Sequence, residues 1–176
     1  MFGKGRQSPC LLRMTFTVIT FLACLGAGCA RFGPIRSQVL DVQTGHPIPG
    51  AVVLGVWTKT VGFGFTSGEL VGVSEAEVDA DGRFTLERPE ATLTANESVT
   101  VYKFGYLAWN NEEIFPSWKH REDTSVPTRI FLELFPTGMS HERHMGFVSR
   151  VIRSALSLRE NGFKFKQAIE REERMR

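Results

Sequence analysis

The stretch Val39–Val53 reads VLDVQTGHPIPGAVV. A short alternating run, VLDV, meets a turn signal at Thr44-Gly45. Pro47 and Pro49 then flank Ile48, and Gly50 opens a second apolar run, AVVLGVW. Gly45 suits a turn position of positive φ. Two prolines bar a regular paired ladder between them. The stretch therefore predicts strand, structured turn, strand. Two further signatures follow: VDADGRFTL over Val78–Leu86 and VTVYKFGY over Val99–Tyr106. In the first, Asp79, Asp81 and Gly82 form a tight turn, with side-chain acceptors and a residue free to take positive φ. In the second, Gly105 ends a cleanly alternating strand.

Working outward, the expected strands are Ile35–Val42, Ala51–Thr58, Leu70–Val78, Arg83–Glu87, Ser98–Phe104 and Thr128–Phe135. AVVLGVW is almost continuously apolar, so this strand should be covered on both faces. Val61–Gly68 is glycine-aromatic and reads as a loop, and Arg83–Glu87 reads as the hairpin partner of the strand before it. Glu90–Glu97 is polar linker. Leu107–Pro127 is an excursion holding Trp109, Phe115, Trp118 and His120. Strands at short spacing with turn signals between them predict an all-β sandwich.

After Pro136 the period changes. Ser140 is an N-cap candidate. Phe147, Val148, Val151, Ile152, Ala155 and Leu158 recur at helical spacing, and Asn161-Gly162 stops the run. Phe163–Arg174 can form a second, charged helix. The apolar stripe of the first helix is expected to dock on the β body, with lipid or a partner as the competing cover.

The chain has 176 residues, enough for one domain with appendages. Its net charge of +2 hides a split. Residues 30–136 carry 9 Lys and Arg against 14 Asp and Glu, a net −5, and residues 137–176 carry 9 against 5, a net +4. The basic tail is expected to pack on the acidic body, with phosphates or anionic lipid as the other reading. Cys10, Cys24 and Cys29 all lie in the first thirty residues. The body therefore has no disulfide framework, no cysteine-ligated zinc and no cysteine nucleophile.

Lys4, Arg6 and Arg13 precede an apolar run, Met14–Leu25, of signal-sequence length, and then small residues lead to Cys29. This resembles a bacterial lipoprotein signal, in which the cysteine is acylated and becomes the new N-terminus. Gly28 and Ala27 fit that pattern, whereas Leu25 stands one place early. An ordinary cleaved signal and an uncleaved anchor over Leu11–Ala30 are the other readings. The resemblance implies membrane attachment through acyl chains at Cys29. Ala30 after the cysteine implies the outer membrane, facing the periplasm.

The three body signatures resemble the carboxypeptidase regulatory-like family, whose fold is similar to transthyretin. Thr44 to Ala51 matches its opening turn, Asp79 to Phe84 its central hairpin, and Lys103-Phe104-Gly105-Tyr106 its strand end. Val78 stands where that family has Thr. The resemblance covers about Ile35 to Phe135. It implies a mainly β fold, a Greek-key sandwich of about seven strands, here with a C-terminal amphipathic helix or helix pair. The chain then divides into a signal peptide over 1–28, a tether over 29–34, the sandwich over 35–136 and a helical extension over 137–176. Gly45, Pro47, Pro49, Gly50, Asp79, Asp81, Gly82 and Gly105 are structural turn residues in this reading.

Chemistry is harder to find. His141-Glu142-Arg143-His144 has its histidines three apart, against four in the metalloprotease pattern, and reads as an exposed first helical turn. Asp79 and Asp81 lack the further ligands of a calcium loop. No catalytic triad pattern, phosphate loop or dinucleotide fingerprint occurs, so no enzyme activity, cofactor, metal or nucleic-acid partner is expected. Phe63, Phe65, Trp109, Phe115 and Trp118 sit on loops. They could form a contact patch for protein or glycan, or plug the open ends of a small sandwich. The function expected is a non-enzymatic envelope module that binds or scaffolds a protein or glycan. The alternative is an inactive accessory subunit of an envelope enzyme or outer-membrane transport complex.

Overall fold

A computed structural model describes residues 33–62, 67–90, 95–153 and 164–174. The protein is mainly β. Its strands are β1 (Ile35–Asp41), β2 (Val52–Val61), β3 (Ser67–Glu77), β4 (Arg83–Leu86), β5 (Asn96–Tyr102), β6 (Trp109–Asn110), β7 (Glu113–Ile114), β8 (Lys119–His120) and β9 (Arg129–Leu132). Two helices follow, here numbered α1 (His141–Val151) and α2 (Lys164–Arg174). One sheet has the order β4-β1-β9, a second β3-β2-β5-β6, and β7 pairs with β8. All pairings between these strands are antiparallel except β1 with β9, which is parallel.

Alternation along β2 explains the layers. Ala51, Val53 and Trp57 join Val39, Phe84, Leu86, Val99, Val101, Ile130 and Leu132 in a core shared by the two larger sheets. Val52, Leu54 and Val56 point the other way, into a second core with Tyr102, Phe115, Phe147, Val148, Ile152 and Phe165. The strand is thus covered on both faces, as its unbroken apolar run predicts. Gly55 makes room in the first core, since a Cβ there would meet the Trp57 ring at 2.5 Å. The Trp57 indole N–H donates to Glu97 Oε2 at 3.1 Å, and Arg88 Nε donates to the same oxygen at 2.7 Å. The only polar atom of that ring is thereby satisfied.

The helical extension docks on the sheet. Ser140 caps α1 by accepting from the Arg143 N–H at 3.3 Å. Phe147, Val148 and Ile152 are buried against β2 and Tyr102. Side chains of this size contribute roughly 1.5–3 kcal/mol each on full burial. The Glu75 carboxylate of β3 accepts from the Lys164 and Phe165 amides at 2.9 and 3.2 Å, and so caps α2 from another element. Burial raises the Glu75 pKa, and these two amides work against that rise. Basic tail meets acidic body at Arg150–Glu113 and Lys164–Glu77, although both arginine and lysine ends are exposed and such pairs are weak.

Several boundaries differ from expectation. β2 runs on to Val61 and β3 starts at Ser67, which extends both strands into the stretch read as a loop. The last strand, expected over Thr128–Phe135, would place Leu134 on the inner face with Ile130 and Leu132. Leu134 is instead 44% exposed, because the strand ends at Leu132. The larger difference concerns the DADG turn. It does not close a hairpin. β4 pairs with β1, in register Gln38↔Arg83, while β3 pairs with β2. The turn therefore carries the chain from one sheet to the other. The reason lies in its contacts: the Val39 N–H donates to Gly82 O at 2.7 Å, which locks the turn against β1.

Asp79 holds this turn. Its Oδ1 accepts from the Asp81 and Arg83 amides at 3.0 and 2.7 Å. Asp81 contributes its carbonyl, which accepts from Gln38 Nε2 at 2.9 Å. Gly82 has φ 76°, and a Cβ on it would lie 2.7 Å from Val39 O and 3.0 Å from Pro47 Cβ. Gly138 has φ 85° with nothing within 4 Å. We expect Gly82→Ala to cost more than Gly138→Ala in denaturant unfolding, where left-handed strain alone is about 1–3 kcal/mol. Asp79→Ala should cost about 1 kcal/mol or more and Asp81→Ala distinctly less. Equal costs at Gly82 and Gly138 would show that the backbone contact does not matter.

Candidate functional site

The aromatic residues read from the sequence do not assemble into one patch among the described residues. Phe63 and Phe65 lie outside those residues, as does Cys29. Phe115 is buried, and its ring packs 5.4 Å from Phe147 and 5.2 Å from His144. It belongs to the second core and has no surface to offer a ligand. Trp118 packs edge-on to Phe147 at 5.5 Å, with the Arg150 guanidinium 5.3 Å from its ring centre. Trp109 packs against the first core, with Arg121 5.3 Å from its ring. Each tryptophan is thus half-buried, capped by an arginine and on a different core. Trp109, Phe115 and Trp118 are therefore packing residues of two different cores and do not form a joint patch.

His144 corrects a second expectation. It is 1% exposed, not an open first-turn residue. Its Nε2 accepts from the Ala108 N–H at 2.8 Å, so this nitrogen carries no proton. Tyr102, Phe115 and Phe135 pack around the ring. The sequence held the signal, since His144 precedes Phe147, Val148 and Val151 at three-, four- and seven-residue spacing. Among the described residues, no group of three or more His, Cys, Asp or Glu side chains is placed to hold a metal ion.

The expected turn residues converge at one end of the β body. Gly45, Gly50, Gly82 and Gly105 all have positive φ. Pro47 packs on Gly82, and Lys103 Nζ donates to Pro49 O at 2.7 Å. Asp41 is buried at the centre of this end. Its Oδ1 accepts from the Thr44 and Gln43 amides at 2.8 and 2.9 Å, and its Oδ2 accepts from the Tyr106 hydroxyl at 3.1 Å.

The remaining candidate is the outer face of the β4-β1-β9 sheet, which sequence reasoning missed. Arg36, Ser37, Gln38, Arg83, Phe84, Thr85, Thr128 and Arg129 line a half-open cleft of about 450 Å³. Register explains the grouping. Gln38 stands opposite Arg83 on one side and Arg129 on the other, and Arg36 stands opposite Thr85. Arg83 and Arg129 are thus two strand spacings apart, about 10 Å, with Arg36 one outward position along. All three arginines are exposed, and among the described residues none makes a side-chain ion pair or hydrogen bond. The next outward row is Leu40 opposite Phe131, whose ring is 49% exposed. Such a face offers several guanidinium donors, hydroxyls and an aromatic surface, and no nucleophile–base pair.

No protein-family model, curated protein or solved structure matches the chain.

Asp41 generates a pH prediction. The Thr44 amide, helped by the Gln43 amide and the Thr44 and Tyr106 hydroxyls, holds its pKa below the ordinary value, and burial opposes them. A lowered carboxylate pKa stabilises the fold above the unfolded-state value and loses that stabilisation as pH falls through the folded-state value. The stability advantage of wild type over Asp41→Asn should therefore shrink as pH falls through and below the ordinary aspartate range, about pH 4. Chemical denaturation across that range checks it, and a constant difference would contradict the mechanism.

Proposed function

We propose that this chain is a non-enzymatic, lipid-anchored module of the cell envelope that binds a protein or a glycan. The observation that carries the binding reading is the open cleft lined by Arg36, Arg83 and Arg129, three exposed cations with no side-chain partner among the described residues. Their charge stands unneutralised although the surrounding residues 30–136 are net −5. Like charges grouped around one opening focus the field there and favour an anionic ligand.

The finer fold reading belongs to the same proposal: a Greek-key sandwich of the transthyretin-like, carboxypeptidase regulatory-like kind. Seven strands in two sheets around one core support it, as do the turns that pass between those sheets. Attachment rests on the signal-like N-terminus and Cys29, with the protein placed in the periplasm on the outer membrane. Among the described residues no helix is long and apolar enough to cross a membrane. The accessory-subunit reading would be favoured by an uncovered apolar face on α1. Burial of Phe147, Val148 and Ile152 leaves that reading without its motivating observation.

Two readouts on one preparation test the proposal. Mass spectrometry of the N-terminal peptide from membrane-extracted protein should show a lipid-modified Cys29, and Cys29→Ser should move the protein out of the membrane fraction. The extracted wild type should be retained by immobilised envelope polysaccharide or protein fractions. A variant with Arg36→Gln, Arg83→Gln and Arg129→Gln should keep its melting temperature and lose retention by about tenfold or more, since charge-assisted hydrogen bonds are the strong ones. Equal retention of that variant would remove the cleft from the function.

A further inference from the structure

The cleft has a composition more specific than positive charge. A lone carboxylate is matched by one guanidinium, which binds it in bidentate fashion. Here Arg36, Arg83 and Arg129 border a single cleft of about 450 Å³, a volume suited to a small ligand. Several guanidinium forks around one opening suit a group with three acceptor oxygens and more than one negative charge, as a phosphate monoester has and a sulfate ester does not. The exposed hydroxyls of Thr85 and Thr128 stand among the arginines. Hydroxyls both donate and accept, which matches the hydroxyls of a sugar.

Phe131 completes the set. It lies two residues beyond Arg129 on the same outward side of β9, so roughly 7 Å along the strand. At 49% exposure its ring presents an apolar face to solvent. Leu40 stands opposite it in register and is buried. An aromatic face next to polar donors is the arrangement that takes the apolar face of a pyranose ring. A peptide would be expected to use a strand edge, through main-chain hydrogen bonds. The arginines instead stand on the sheet's face.

We propose that the outer face of the β4-β1-β9 sheet binds a phosphorylated sugar, with the phosphoryl group held by Arg36, Arg83 and Arg129 and the sugar ring seated toward Phe131. This inference rests on the reading of that face as a binding surface and narrows it from protein or glycan to a phosphate-bearing glycan. The selectivity comes from two adjoining parts of one face. The arginines supply charge and geometry for the phosphoryl oxygens, and the exposed Phe131 ring supplies contact for the sugar.

The test uses the detergent-solubilised full chain and isothermal titration calorimetry. Its probes are the phosphomonoester of mannose at its primary hydroxyl, inorganic phosphate, mannose, and a galacturonate oligosaccharide. The mannose phosphomonoester should bind about tenfold or more tightly than inorganic phosphate or mannose, because only it engages both the arginines and Phe131. Arg83→Gln with Arg129→Gln should abolish binding of both phosphate probes. Phe131→Ser should bring the mannose phosphomonoester down to the affinity of inorganic phosphate and leave the latter unchanged. All three positions are exposed, so the variants should keep the wild-type melting temperature. Equal affinity for inorganic phosphate and the sugar phosphate would overturn the sugar assignment. Arginine-dependent binding of galacturonate as tight as that of the sugar phosphate would overturn the phosphoryl assignment, while the face would remain a glycan-binding surface. No binding by any probe, or binding indifferent to the arginines, would overturn the inference. Retention of the wild type on envelope fractions then decides the broader reading separately.

Discussion

β2 is the wall on which everything else leans. Ala51, Val53 and Trp57 fill one core and Val52, Leu54 and Val56 fill another, so no side of this strand through Trp57 meets water. A strand that is apolar at every position cannot lie at the surface of a half-solvated sheet. It needs a second layer on each side. The β4-β1-β9 sheet is one layer and the C-terminal helices are the other. The helical extension is thus a structural consequence of the even-numbered residues of β2, not an independent appendage. Its own stripe of Phe147, Val148 and Ile152 is the matching half of the same requirement. His144 shows how closely the halves fit, since it accepts a backbone hydrogen bond from Ala108 inside that interface.

The second constraint is the end of the body where three separated segments interlock. Thr44–Gly50 must turn through two prolines, and in doing so it exposes backbone groups that no ladder can satisfy. They are satisfied from elsewhere. Lys103 reaches Pro49 O, the Gly50 N–H reaches Val78 O, and Asp41 gathers the amides of Gln43 and Thr44. Gly82 fits beneath Pro47 only because it lacks a side chain. Each turn is therefore supported by residues from another segment, and the two sheets are tied at this end by more than apolar contact.

Much of this was legible from residues 35–140. Alternation gave Val99 and Val101 one face and Tyr102 the other, and Phe84 and Leu86 a shared face, as observed. Ser140 announced the start of α1. Sheet membership was not legible. The DADG turn has hairpin composition, yet it bridges two sheets, because turn residues report local backbone conformation and say nothing of which strand comes next to the one that follows. The gathering of Asn110 and Asn111 was also invisible. Both are buried, and Asn111 accepts from the Val99 N–H at 2.6 Å and donates to Thr124 O at 2.7 Å, which anchors the excursion between β6 and β9. Polar residues in an irregular stretch read as solvent-facing unless their partners are known.

The arginine face was hidden for a different reason. Arg36, Arg83 and Arg129 are separated by 47 and 46 residues, and each sits alone in its own strand. In an alternating strand an outward arginine is the default solvent-facing residue, so each taken singly carries no information. Their meaning comes from pairing: β1 is central in its sheet, and its Gln38 brings Arg83 and Arg129 into one row. The parallel pairing of β1 with β9 adds Phe131 on the side of the row away from Arg36, where an antiparallel register through the same Gln38–Arg129 pair would have turned it the other way. Large aromatic side chains on loops, by contrast, stand out in a sequence one by one. Trp109, Phe115 and Trp118 are large because they fill space between the cores and the excursion. The three arginines of the opposite sheet make no side-chain hydrogen bond or ion pair among the described residues.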